Sequence, residues 1–129
     1  MEFVQGLPHG VYVGQTQIQH PLTLPTQNQY LKGFNLALHV QDDADRVQQH
    51  RMSLLNEFAP FGVDKMTWMM QTHSTICHTI NEQISFIALE GDGLVTQRKG
   101  HALMMMTADC LPVVLGNAAG VRLTYNDKD

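Results

Sequence analysis

Two short segments of this chain hold residue types that could do chemistry. In Thr107-Ala108-Asp109-Cys110-Leu111-Pro112 a carboxylate and a thiol stand side by side, where one apolar run stops and the next begins. Pro112 forbids a continuous backbone ladder there, and a strand end of this kind is a common address for ligands. A thiolate at Cys110 would be a soft donor for zinc or copper, or a nucleophile if a base lowered its pKa. The plainer alternative is an inert buried cysteine beside an aspartate that caps a turn.

The second segment is Gln71-Thr72-His73-Ser74-Thr75-Ile76-Cys77-His78, where a neutral imidazole could bind a metal or act as a base near pH 7. If the segment is extended, His73 and Cys77 share a face and His78 points the other way. Four residues at about 3.3 Å each then hold His73 and Cys77 roughly 13 Å apart, too far to share one ion. His73 with Cys110, brought together by sheet pairing, is the more economical pair. A third group is Asn35, with both a donor and an acceptor, and Arg51, a planar fork for an anion. The ordinary reading of these two is a loop amide and a helix-surface cation. For His9, His20, His50 and His101 the ordinary reading, a hydrogen-bonded histidine, is adopted.

The elements that must position these groups follow from patterning. Apolar residues at Val47, Leu54, Leu55 and Phe58, with Asp42 or Asp43 as N-cap and Pro60 and Gly62 beyond, predict a helix of about four turns. Met66 to Gln71 and Ser74 to Ile80 are short and rich in Thr and Ile, and read as strands meeting near His73. Ala102 to Met106 and Leu111 to Leu115 are continuous apolar runs, the pattern of strands covered on both faces. Gly91-Asp92-Gly93 is a turn signal leading into the strand Leu94-Val95-Thr96, and without GxxxxGK[ST] it is no phosphate loop. The first 33 residues, with an alternation around Val11 and Val13, read as short strands joined through Pro21 and Pro25. The expected fold is an α/β domain with a buried mixed sheet, one domain spanning 1-129.

Composition limits the function classes. Lys+Arg 8 against Asp+Glu 12 gives a formal net charge of -4, and no basic cluster could neutralise a row of phosphates, so nucleic acid is not an expected partner. Two cysteines without a CxxC pairing suit a reducing compartment, and a cytoplasmic location is expected. The run from Ala102 to Leu115 is interrupted by Thr107, Asp109 and Pro112 and falls short of the roughly 20 residues of a spanning helix, so no membrane segment is expected.

In order, Asn35-Leu36 with His39-Val40 and Asp42, His50-Arg51, Gln71-Thr72-His73, Asp92-Gly93-Leu94-Val95-Thr96 and Thr107-Ala108-Asp109-Cys110-Leu111-Pro112 resemble the YfiH/YlmD family. This is the group also labelled multicopper polyphenol oxidase or laccase-domain proteins, and associated with purine nucleoside phosphorolysis and adenosine deamination. The resemblance spans about residues 33 to 117. It implies an α/β/β/α sandwich and one metal site, usually zinc, from the His of Q-[VT]-H, the Cys of TADC and a second His in a later HAGWRG motif.

The first two ligands map onto His73 and Cys110; the third has no counterpart in this sequence. The chain resembles the N-terminal half of such a protein, a truncated form of the fold. The resemblance implies catalytic roles for Cys110, His73 and Asp109, and substrate contacts from Asn35, Arg51 and Gln71 to a purine nucleoside and phosphate. Two ligands hold a catalytic zinc loosely, so weak or absent activity is expected of this chain alone. The alternatives are a non-catalytic binding or assembly fragment, and a cysteine hydrolase with Cys110 as nucleophile and His73 as base. Strands left without neighbours and a Met-rich apolar face lead to the expectation of a homo-oligomer.

Overall fold

The computed structural model describes residues 1–27, 32–38, 40, 42–80, 89–107, 112–117 and 120–124. The chain opens with a small antiparallel pair, β1 (Glu2–Phe3) with β2 (Gly14–Gln15). Val11 and Val13 thus precede the paired strand instead of forming it, although Val13 O still accepts from Val4 N at 2.8 Å.

The predicted helix is present as α1 (Ala44–Phe58), continued by a 3-10 turn over Ala59–Phe61. Its cap is Asp43, whose carboxylate accepts from Asp45 N at 3.0 Å. That bond satisfies one of the orphan donors of the first turn. Pro60 and then Gly62, with φ of 80°, close it, the left-handed stop that glycine supplies without steric penalty. The inward face carries Val47 and Leu54, both at 0% exposure, together with Arg46 and His50.

After the helix come β3 (Lys65–Thr67), β4 (Met69–Met70), β5 (Cys77–Ile80), β6 (Leu89–Glu90), β7 (Gly93–Thr96), β8 (His101–Leu103), β9 (Val113–Asn117) and β10 (Gly120–Thr124). The main sheet has the order β5-β7-β10-β9. Its β5–β7 pair is parallel and the other two are antiparallel. Two parallel pairs flank it, β3 with β8 and β4 with β6. This is the mixed α/β architecture expected. Met69, Ile80 and Leu94 form its buried centre, with Leu89, Leu103 and Met105 packed against it.

Three sequence expectations need correction. The run Met66 to Gln71 is not one strand: it breaks at Trp68, because β3 and β4 pair with different partners. Ser74 to Ile80 pairs only from Cys77 onward, since the chain turns at His73. The two continuous apolar runs are not sealed on both faces. All of β8 is half-buried, and β9 ends with Leu115, Gly116 and Asn117 exposed, because among the described residues β9 is the edge of its sheet. Leu111 lies outside the described residues. No helix among the described residues is long and apolar enough to cross a membrane.

Candidate functional site

His73 sits in a turn between β4 and β5 with φ of 59°. A non-glycine residue there brings Cβ close to the backbone, at a cost of roughly 1 to 2 kcal/mol. What holds it is Asp92. This carboxylate is 1% exposed and accepts from Ser74 N at 2.6 Å, Ser74 Oγ at 2.8 Å, His73 N at 3.2 Å and Thr72 N at 3.3 Å.

The flanking glycines let Asp92 approach so closely. A Cβ on Gly91 would lie 3.0 Å from Ile76 O, and one on Gly93 would lie 3.1 Å from Cys77 Sγ. Ile76 O in turn accepts from Asp92 N at 3.0 Å and Gly93 N at 3.1 Å. The residue read from sequence as part of a simple turn is therefore the template of the histidine segment.

Gln71 makes the second fixed point. Its Nε2 donates to Met106 O at 2.7 Å and its Oε1 accepts from Met106 N at 2.8 Å. The side-chain amide thereby imitates a neighbouring strand and ties the end of β4 to the segment following β8. Asp109 and Cys110, at the heart of the other chemical segment, lie outside the described residues, as does His39.

Asn35 and Arg51 are each held by partners of their own. Asn35 Nδ2 donates to Asp42 Oδ2 at 3.0 Å, and its Oδ1 accepts from Ala37 N at 3.0 Å, so the amide braces the approach to α1. Arg51 is half-buried, more covered than a helix-surface cation. Its Nε donates to Leu36 O at 2.8 Å, and its guanidinium lies 3.8 Å from the centroid of the Trp68 ring, a cation–π contact. Burial lowers its pKa to about 10, leaving it cationic at neutral pH.

Several histidines are structural, as expected. His50 is fully buried; its Nε2 accepts from Leu24 N at 2.9 Å, so Nδ1 carries the proton donated to Asn35 O at 2.8 Å. His20 pairs with Glu57 at 2.9 Å and stacks on Phe34 with centroids 4.0 Å apart. His101 bonds to Thr67 Oγ1. Burial first, then the charges of Arg98 and Lys65, hold His101 below its ordinary 6.5.

Sequence reasoning missed the polar core beside α1. Arg46 pairs with Asp42 at 2.7 Å, and their side chains are 4% and 2% exposed. Burial raises the Asp42 pKa, but the Asn35 amide, the Asp43 N–H and the Arg46 charge outweigh it, and the carboxyl ends below its ordinary 3.8. A depressed folded pKa gives stability that is present above the unfolded value and lost as pH falls through the folded one. Wild type is accordingly expected to lose stability below about pH 4 more steeply than Asp42→Asn. Urea midpoints across that range check this, and parallel curves would refute it.

In kind, an imidazole and a thiolate suit zinc. Among the described residues, however, no group of three or more His, Cys, Asp or Glu side chains gathers to hold an ion. Two surface hollows, of about 240 and 370 Å³, are lined by none of His73, Asn35, Arg51 and Gln71.

A family model described as multi-copper polyphenol oxidoreductase laccase matches residues 25–124. The chain belongs to this family. It is 40% identical over 91 residues to a purine nucleoside phosphorylase of Corynebacterium glutamicum, an alignment covering 68% of this chain and 37% of that protein. It is 37% identical over 91 residues to an adenosine deaminase of an unknown prokaryotic organism, covering 64% and 34%. The crystal structure of the Bacillus licheniformis hypothetical protein YfiH superposes with a TM-score of 0.60 at 26% identity, covering 74% of this chain and 39% of that one. The chain thus spans little more than a third of the length of the relatives it matches.

Proposed function

We propose that this chain carries part of a purine nucleoside-processing site in which His73 and Cys110 hold zinc, with copper as the alternative metal. Asp109 stands beside the thiolate in sequence and is the proton-handling group of this reading. The observation that carries it is the two-bond clamp of Gln71 on Met106. His73 follows Gln71 by two residues and Cys110 follows Met106 by four, so the two donor segments start from one fixed point. The names of the phosphorylase and deaminase relatives supply the substrate class, a purine nucleoside with phosphate or water as second reactant.

Zinc held by such donors supplies Lewis-acid polarisation when bound. The chain's own groups do the rest. The Asp92-templated turn presents His73, and Gln71 keeps the two segments in register. Arg51, cationic at neutral pH and braced on Trp68, is the candidate partner for an anionic phosphate. Asn35 acts by bracing the start of α1. The free, exposed Cys77 thiol suits a reducing cytoplasm.

Purified chain is expected to bind zinc weakly, and to lose that binding in both His73→Ala and Cys110→Ser. Phosphorolysis of adenosine or inosine by this chain alone should be weak or absent, because it offers two of the three ligands the resemblance implies. Zinc content unaffected by either substitution, or robust turnover by the metal-free chain, would sink the metal assignment, and failure of the zinc-loaded chain to bind adenosine or inosine would sink the functional one.

Among the described residues β9 is the edge of its sheet, and this supports a homo-oligomer. In β9, Leu115 is 56% exposed, and an uncovered edge strand is a template for pairing. Light scattering at micromolar concentration is expected to give at least a dimer; a monomer peak that persists on concentration would overturn this.

A further inference from the structure

Deepening the reading above, and resting on it, we propose that Asp92 is the positioning residue for His73. Its buried carboxylate templates the 72–74 turn, holds the His73 backbone in the left-handed region and so fixes where the imidazole is offered to a metal ion. Three observations meet here. His73 has a positive φ, and it does so as the only non-glycine residue among those described. Its amide and those of both neighbours converge on the two oxygens of one carboxylate. The backbone that carries the carboxylate is itself held, since Asp92 N and Gly93 N both donate to Ile76 O, and Gly91 N donates to Met70 O at 3.1 Å.

A turn needed only to reverse the chain would be served at lower energy by glycine. This fold instead keeps an imidazole in the strained position and surrounds the strain with bonds that sustain it, the pattern of a residue retained for its side chain. The template also reaches across the fold. Asp92 immediately precedes β7, whose Leu94 is in the buried centre, so the turn is referenced to the sheet rather than to its own sequence neighbours.

Asp92→Asn separates the positioning role from mere support. The asparagine oxygen can take the place of Oδ1, where Thr72 N, Ser74 N and Ser74 Oγ converge. Its NH2 then faces His73 N–H, and that contact is lost. The first measurement is thermal unfolding of the metal-free chain carrying His73→Gly or His73→Ala, with and without D92N. Both substitutions remove the imidazole, and the greater unfolded-state entropy of glycine is common to both backgrounds, so the change in their difference on D92N reports backbone strain.

With Asp92 intact, H73G is expected to melt roughly 2 to 5 °C above H73A, and D92N should close the gap. An equal gap in both backgrounds, or no gap with Asp92 intact, would overturn the proposal. The second measurement is cobalt titration followed by visible absorption. D92N is expected to weaken cobalt binding by about 10- to 100-fold with an unchanged far-UV spectrum, and unchanged affinity would overturn the proposal.

If the unsubstituted chain binds no cobalt, the metal reading falls, and with it the metal-directed half of this proposal; the thermal cycle still judges the backbone half. Should D92N fail to fold, amide exchange in the unsubstituted chain decides. The His73 N–H, on an exposed residue, is expected to be protected by its bond to Asp92, and exchange at the free-peptide rate would refute the hold.

Discussion

Arg46→Ala is expected to lower the free energy of unfolding by about 3 to 5 kcal/mol, the range for breaking a buried ion pair by removing one partner. The guanidinium donates to Asp42 Oδ2 at 2.7 Å, to Leu24 O through Nε at 3.0 Å and Nη2 at 2.9 Å, to Gly33 O at 3.0 Å and to Lys32 O at 3.3 Å. Its removal takes the counter-charge from a covered carboxylate that keeps the Asn35 and Asp43 donors, and leaves carbonyls from two separate loop segments without their shared donor. Each orphaned group carries a desolvation penalty of its own. Arg46→Lys is expected to recover little, because a single ammonium cannot span the fork of acceptors. Against a typical total stability of about 5 to 15 kcal/mol the loss would be large. Urea unfolding measures it, and a change below about 1 kcal/mol would mean that Arg46 behaves as a surface cation.

The helix carrying Arg46 was legible because its signals are local. Val47 and Leu54 mark the buried stripe, and Asp43, Pro60 and Gly62 mark the ends. The same periodicity also contained the part that went unread. Arg46, His50 and Leu54 succeed one another at four-residue intervals, the spacing of one helix face, and all three are buried. Tracking apolar residues alone hides a polar stripe whose partners come from Leu24 and the 32–35 segment. Those partners are set by tertiary folding rather than by helical spacing.

The strands were legible as runs and not as pairings. Trp68 interrupts what the composition presents as a single strand, because β3 joins β8 while β4 joins β6, and the choice of partner lies 20 or more residues away in the sequence. For the same reason β9 was read as sealed. Its apolar composition is real, but coverage depends on what lies beyond the sheet edge. The candidate site divides similarly. His73 was legible from its motif, and Gln71 from its place beside it, whereas the grip on Met106 required the fold. Asp92 was visible only as the centre of Gly-Asp-Gly, a turn signal, although an acidic residue set between two glycines at the start of an apolar strand is itself a mark of a carboxylate meant to be approached closely by backbone.

Asp92→Ala is expected to be the second severe substitution, lowering the free energy of unfolding by about 3 to 5 kcal/mol. The carboxylate takes three main-chain N–H groups and one hydroxyl. An orphaned buried donor costs on the order of 1 to 3 kcal/mol, so four fully sealed donors would total about 4 to 12 kcal/mol. Thr72 and His73 are exposed residues, so water can replace part of what their amides lose, and most of the penalty falls on Ser74 and on the space left between Gly91 and Gly93. Asp92→Asn should cost less, about 1 to 2 kcal/mol, since one oxygen still accepts where three donors converge. The order matters more than either value: alanine well below asparagine, and asparagine below wild type, in urea midpoints at neutral pH. Equal losses for the two substitutions would show that the charge, rather than the acceptor geometry, stabilises the turn. No loss for alanine would show that the 72–74 turn forms without its template.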